Sequence, residues 1–204
     1  MKNIQAVVFD LYGTLIYIAD ETKPLTRLCI DLGLQTSDEF REARRIALGE
    51  DFDNPRALVD RIKPNPHIDL NAYEEELEKE LKSASLYPET IKTLEELRKQ
   101  GIILGLISNL TSPYKRPFFD LGLSEYFDEV LFSCEEGLRK PDPRVYQKIV
   151  ERFKINPAQV LMTGDNVNTD VLGPKQIGMN AVHLDRSSNA SNSISTLEEV
   201  FQYL

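Results

Sequence analysis

Val7-Val8-Phe9-Asp10-Leu11-Tyr12-Gly13-Thr14-Leu15 is the stretch whose reading decides the fold. An apolar run that begins at Ile4 stops abruptly at a carboxylate, and a glycine and a threonine follow closely. A continuous apolar run of this length, bounded by a turn signal, predicts a short strand over Ile4 to Phe9, buried on both faces like a central parallel strand. Asp10 then stands at the carboxyl end of that strand, the edge at which open α/β sheets bind ligands. Taken alone, the same residues also suit a strand-ending Asp with a glycine turn.

Outward from this stretch the pattern turns helical. Leu25, Leu28, Cys29 and Leu32 share one helical face, with Pro24 near the start and Gly33 as a stop. Phe40, Ala43 and Ala47 repeat that spacing on a second helix that begins at Ser37 or Asp38 as N-cap. Asn54-Pro55 opens a third helix running to Ile62, broken by Pro64 and Pro66. Asn71 caps a fourth, with Tyr73, Leu77 and Leu81 on one face and Glu74, Glu75, Glu76, Glu78 and Glu80 read as a solvated face. No strand signal appears between Ile16 and Leu86, so residues 17–87 read as a helical insertion.

Beyond Pro88, helix and strand alternate. Ile91, Leu94 and Leu97 mark a helix closed by Gly101, followed by a strand over Ile102 to Ile107 that stops at Ser108-Asn109. A short helix around Pro113 to Leu121 precedes a strand at Glu129 to Ser133. Pro143 opens a helix carrying Val145, Ile149 and Phe153, and Val160 to Thr163 is a strand ending at Gly164-Asp165. Asp170 to Ile177 reads as helix, Ala181 to Leu184 as a fifth strand, Arg186 to Ser195 as a polar loop and Thr196 to Tyr203 as a last helix. This alternation predicts an α/β fold, a parallel sheet flanked by helices. The expected division is a discontinuous core, residues 1–16 and 88–204, around the insertion 17–87.

Composition excludes some functions. Lys and Arg number 24 against 33 Asp and Glu, a net charge of −9, which argues against bulk binding to nucleic acid or an anionic membrane. Cys29 and Cys134 fit no metal spacing and read as reduced thiols of a cytoplasmic protein. Met1-Lys2 leads straight into the first strand with no secretory signal pattern, and no apolar run reaches membrane-spanning length. Asn109-Leu-Thr111 and Asn189-Ala-Ser191 match the glycosylation pattern by coincidence in such a protein.

Polar groups gather at the strand ends: Asp10 with Thr14, Ser108 with Asn109, and Asp165 with Asp170. Lys140, in Lys140-Pro-Asp-Pro143, lies in a loop that opens a helix. In a doubly wound sheet such ends converge on one crevice, and carboxylates, hydroxyls and one lysine suit a hard cation beside a phosphate. Each residue singly also suits an ordinary turn or cap. An EF-hand reading of Asp165 to Asp170 fails, because Val167 occupies a ligand position and Asp170 the obligatory glycine. His67 and His183 have no partners close in sequence and are assigned no catalytic role.

Together, Asp10-Leu-Tyr-Gly-Thr-Leu15, Ile107-Ser108-Asn109, Lys140-Pro-Asp-Pro and Gly164-Asp165 with Asp170 resemble the motifs of the haloacid dehalogenase (HAD) superfamily in order and spacing. The insertion after the first strand resembles that superfamily's type 1 helical cap. The resemblance implies a Rossmann-like core with the active site at the boundary of core and cap. It implies Asp10 as nucleophile, forming a covalent aspartyl intermediate, with Thr14 in the same motif. Ser108 and the Asn109 backbone N–H would hold the transferring group, and Lys140 would balance charge. Asp10, Asp165 and the Tyr12 backbone carbonyl would bind Mg²⁺, with Asp170 behind them holding a metal water or Lys140. The activity implied is phosphatase action on a small, anionic phosphorylated metabolite.

Tyr12 departs from that pattern. Phosphatases of the superfamily carry a second Asp there as acid and base, whereas a tyrosine, with a pKa near ~10, keeps its proton at neutral pH. Asp-x-Tyr-Gly-Thr resembles the 2-haloacid dehalogenases, whose halide leaving group needs no proton. The acidic Gly164-Asp165 motif points back to a metal-dependent phosphatase. A dehalogenase is the alternative, and a catalytically weak binding or regulatory protein the third reading. Arg41, Arg44 and Arg45 on one helix of the insertion are candidates to hold a substrate carboxylate, or a solvated face; Lys115 and Arg116 share that ambiguity.

Overall fold

Ala6–Phe9 (β1), with no exposed surface, runs up the middle of a six-stranded sheet in a computed structural model that describes residues 3–64, 68–187 and 193–204. The other strands are Ile103–Ser108 (β4), Glu129–Phe132 (β5), Val160–Gly164 (β6), Asn180–Leu184 (β7) and Ser193–Ile194 (β8). Their order is β5-β4-β1-β6-β7-β8 and every pairing is parallel. A Rossmann-like parallel sheet is what the sequence predicts.

Alternation along β1 divides the core. Val7 and Phe9 face a cluster with Leu94 and Leu97 of Thr90–Lys99 (α5), Phe118 of Arg116–Asp120 (α6), and Leu197 and Val200 of the 3₁₀ segment Leu197–Tyr203. Ala6 and Val8 face Val145, Tyr146, Ile149 and Phe153 of Pro143–Phe153 (α8). Helices on both faces explain why the strand reads as an unbroken apolar run. Ser133–Glu136 (α7) and Gly173–Lys175 (α9) are short turns in the connections.

Between β1 and α5 lie Pro24–Asp31 (α1), Ser37–Gly49 (α2), Pro55–Ile62 (α3) and Asn71–Lys82 (α4), whose apolar faces form a third cluster that includes Leu28, Ala47, Val59 and Leu77. The expected all-helical insertion needs correction at its base. Ile16–Ile18 (β2) and Ala84–Leu86 (β3) pair antiparallel, so both connections to the helices run through one small ribbon. Three-residue strands are too short to show an alternation in sequence.

Smaller corrections concern helix ends and exposure. Thr36, not Ser37 or Asp38, caps α2, in a reciprocal box with Glu39. Asn71 is the first residue of α4, and Leu70 occupies its N-cap without a side-chain bond. Glu80, placed in sequence on a solvated face, is 2% exposed. The strand β8 lies where a polar loop is expected, and the last segment is 3₁₀ rather than α. In place of a helix over Asp170 to Ile177 there is a π-helical turn, Val167–Leu172, ahead of α9. Met1, Lys2, Pro66, His67 and the Asn189-Ala-Ser191 triplet lie outside the described residues.

Candidate active site

Register places the motif residues side by side. Phe9 sits opposite Leu106 on β4 and Thr163 on β6, so the next residues along, Asp10, Ile107-Ser108 and Gly164-Asp165, stand at one level at the carboxyl edge of the sheet. The Asp10 amide still donates to the Thr163 carbonyl at 3.0 Å, which fixes the backbone where the side chain turns out.

Lys140 is the electrostatic centre. Its ammonium donates to Asp10 Oδ1 at 2.7 Å and to Asp170 Oδ1 at 2.6 Å, and it is 3% exposed. Asn109 holds this lysine: its Nδ2 donates to the Lys140 carbonyl at 2.7 Å and its Oδ1 accepts the Lys140 amide at 2.8 Å. That side-chain clamp is invisible in sequence, which marks only the adjacency of Ser108 and Asn109. Ser108 is buried at the end of β4.

Asp170 is fully buried, and its second oxygen accepts the Asn166 amide at 3.0 Å. It lies so close to Gly164 that a Cβ there would come within 2.4 Å of its Oδ2. The Asn166 side chain caps the π-helical turn through Asn168 and Thr169, and this turn carries Asp170 back under the strand end. Such turns recur at functional sites. Asp165 is exposed and rests on Gly13, where φ is +81° and a Cβ would lie 2.3 Å from Asp165 Oδ2. Gly13 is therefore needed twice, for its left-handed backbone and for the space it leaves. His183 is not without a partner: its Nε2 bonds the Asp165 carbonyl at 2.9 Å.

One carboxylate oxygen from each of Asp10, Asp165 and Asp170 lies within 4.8 Å of the others. Burial pushes the Asp10 carboxyl up to about 6, against the downward pull of Lys140 and with Asp170 and Asp165 adding to the rise. Burial and then Asp170 raise Asp165. Burial alone would lower Lys140, but the carboxylates outweigh it and hold the ammonium above the usual lysine value. Carboxylates crowded against one ammonium form an all-oxygen donor set suited to a hard divalent cation. Thr14 is fully buried, and its hydroxyl has no hydrogen-bond partner among the described residues.

Tyr12 points its chemistry elsewhere. Its phenol donates to the Tyr114 carbonyl at 2.9 Å and its ring packs edge-on against the Tyr114 ring at 5.8 Å. Burial, then the Glu80 charge, raises it well above the usual tyrosine value. Arg41 pairs with Asp38, and Arg45 with Glu42 at 2.7 Å, both within the exposed surface of α2; Arg44 is exposed. Lys115 holds Asp51 and Glu135, and Arg116 holds Glu78. Arg186, absent from the sequence-derived set, donates to the Thr14 carbonyl at 2.8 Å and to Glu89 at 2.6 Å, with its guanidinium 3.5 Å from the Tyr87 ring centroid. A cleft of about 540 Å³ lined by Phe52, Leu77, Pro113 and Phe119 opens between the helices and the turn after Ser108, and Asp10, Asp165 and Asp170 do not line it.

Three strand ends and one loop converge on a buried lysine and an acidic cluster, a carboxylate-centred α/β site suited to a hydrolase. Residues 4–178 match the family model for haloacid dehalogenase-like hydrolases, and the chain belongs to that family. It is 32% identical over 197 residues to a Methanopyrus kandleri protein named glyceraldehyde 3-phosphate phosphatase, covering 90% of this chain and 84% of the relative. The crystal structure of a HAD phosphatase from Thermococcus onnurineus superposes with a TM-score of 0.67 at 29% identity, covering 98% and 97% of the two chains. A 2-haloacid dehalogenase from Pseudomonas syringae superposes with a TM-score of 0.66 at 22% identity over 98% and 97% of the chains, a likeness of fold alone.

Proposed function

We propose that this chain is a phosphatase of small phosphorylated metabolites, working through a phospho-aspartate on Asp10. The observation that carries the reading is the Lys140 ammonium shared by Asp10 and Asp170 with the Asp165 carboxylate beside them. An ionised Asp10 oxygen attacks the phosphorus, the ester P–O bond breaks, and the alkoxide leaves with a proton from solvent. Water then attacks the same phosphorus, the aspartyl P–O bond breaks, and phosphate departs with Asp10 restored. Ser108 and the Asn109 amide hold the phosphoryl oxygens, and Thr14 offers its buried hydroxyl. Lys140 keeps Asp10 ionised and offsets the charge that builds up on the phosphoryl group.

Mg²⁺ is the cofactor this reading requires, and Asp10, Asp165 and the Tyr12 carbonyl would hold it. Asp170 stands behind them, since both its oxygens already serve Lys140 and Asn166. When bound, the cation would neutralise the anionic substrate against an acidic site. Residues 17–87 act as a cap over a core made of 1–16 and 88–204. No helix among the described residues is long and apolar enough to cross a membrane, and the unpaired Cys29 and Cys134 suit the cytoplasm.

The Tyr12 phenol, donated to Tyr114, places no proton on the leaving oxygen. Turnover should therefore be fast for p-nitrophenyl phosphate and slow for an alkyl phosphate. A phosphate-ester panel with and without Mg²⁺, with Asp10→Asn as blank, tests this; equal fast turnover of both ester types would sink the leaving-group argument. The same lack of a donor favours a second reading, dehalogenation of a 2-haloacid, where halide needs no proton. Halide release from 2-chloropropionate that survives EDTA would establish that reading in place of the first.

A further inference from the structure

Glu80 is a charged side chain that the chemistry above does not use, and it is buried although its neighbours on α4 are acidic and mostly accessible. Its Oε2 accepts the Thr22 amide at 2.5 Å, the Thr22 hydroxyl at 2.8 Å and the Lys23 amide at 2.9 Å. Lys23 is the N-cap of α1, in a left-handed conformation with no side-chain cap of its own. The carboxylate thus holds the N-cap amide of α1 and the amide before it, the contact a capping-box glutamate makes with an N-cap amide, and it fixes the connection that enters the helical segment.

The other oxygen of Glu80 accepts the Tyr114 hydroxyl. Tyr114 packs against both the core cluster on the sheet and the cluster of the insertion. Its carbonyl takes the Tyr12 phenol. An unbroken line of hydrogen bonds therefore runs from the connection at Thr22-Lys23 through Glu80 and Tyr114 to Tyr12, two residues beyond Asp10. Side chains next to Tyr114 hold the same seam: Ser112 Oγ accepts the Phe52 amide at 2.8 Å, and Lys115 reaches Asp51 at 3.0 Å.

We infer that Glu80 and Tyr114 are positioning residues that register the seat of the helical segment against the Asp10 turn, with the Tyr12 phenol as the core end of the tether. Any shift of α4 over the core must stretch the Glu80–Tyr114 bond or pull Tyr114, and with it the acceptor that holds Tyr12. Hydrogen bonds weaken steeply away from their preferred distance and angle, so the nucleophile turn is set correctly only while the segment is seated. This rests on the reading of Asp10 as nucleophile, which the same experiment separates from it.

The test uses Tyr114→Phe, Glu80→Gln and the double variant in the full chain, with kcat and KM measured separately on p-nitrophenyl phosphate. Amide exchange is followed over residues 11–16 and 22–27. Tyr114→Phe removes only the hydroxyl and leaves the backbone acceptor of Tyr12 in place. Each single variant should lower kcat about tenfold with KM nearly unchanged, and the double should lose no more than the worse single, because both variants weaken the one Glu80–Tyr114 link to the core. Exchange should rise in residues 11–16 as well as in 22–27. Faster exchange confined to 22–27, an unchanged kcat, or additive losses in the double variant would overturn the proposal. Should the parent hydrolyse no phosphate ester, the phosphatase reading falls, while the exchange pattern still decides the tether.

Discussion

Lys140 is the residue on which the site turns. Removing it leaves Asp10 and Asp170 facing one another without the ammonium between them. Truncating one partner of a buried ion pair costs about 3–5 kcal/mol, so Lys140→Ala should lower thermal stability clearly and cut kcat by about a hundredfold or more. An active, equally stable variant would contradict the role given to it. Asp10 makes a separate prediction in protein stripped of divalent cations. Its carboxyl, raised from 3.8 to about 6, keeps its proton in the fold after the unfolded chain has released one. The folded state binds more protons in that window, so Asp10 makes stability fall as pH rises from 3.8 to about 6, with a constant penalty above it. Asp10→Asn, which mimics the protonated form, should match the parent at the acid end and exceed it at pH ~7. Urea midpoints across pH measure this, and a flat difference would refute it. Asp10 and Lys140 are legible in sequence as candidates because both stand in short motifs, and the structure brings them together. Asn109, His183 and Arg186 act through backbone atoms of other motif residues, and no local pattern announces a bond between distant segments.

At the level of elements, the long regular pieces are legible and the short ones are not. Each helix of the insertion shows its apolar spacing over two or more turns, whereas β2, β3 and β8 are too brief to show any period. The solvated-face reading of α4 fails at Glu80 for a related reason. Sequence shows five glutamates on one helix but not that Thr22, Lys23 and Tyr114 converge on the last of them. Burial would raise the Glu80 carboxyl, but bonds from Tyr114, Thr22 and Lys23 outweigh it and hold it below the ordinary value of 4.5. A depressed carboxylate contributes stability that is present above 4.5 and is lost as pH falls through its lower folded value. The stability gap between parent and Glu80→Gln should therefore be widest near neutral pH and shrink in acid. A gap that widens on acidification would show that the carboxylate is not held this way.

For the whole molecule, the Asp10 turn is joined to both connections that lead to the insertion. Tyr12 reaches the outgoing connection through Tyr114 and Glu80, and Thr14 reaches the returning one through Arg186 and Glu89. The sheet supplies the rigid platform and Lys140 the central charge, and the acidic oxygens form a donor set suited to a hard cation. Mg²⁺ bound at ~100 times its Kd should stabilise the fold by about 2.7 kcal/mol, and Asp165→Asn should abolish that gain. Thermal midpoints with and without Mg²⁺ measure it; an equal rise in the variant would place the cation elsewhere. The central claim is phosphoryl transfer to Asp10, and an acid-quenched single turnover of a phosphate ester radiolabelled at phosphorus, with peptide mapping of the protein, tests it most directly. Label should be trapped on Asp10 and be absent from Asp10→Asn. Full release of labelled phosphate with no label on the protein at any time of quenching would contradict it.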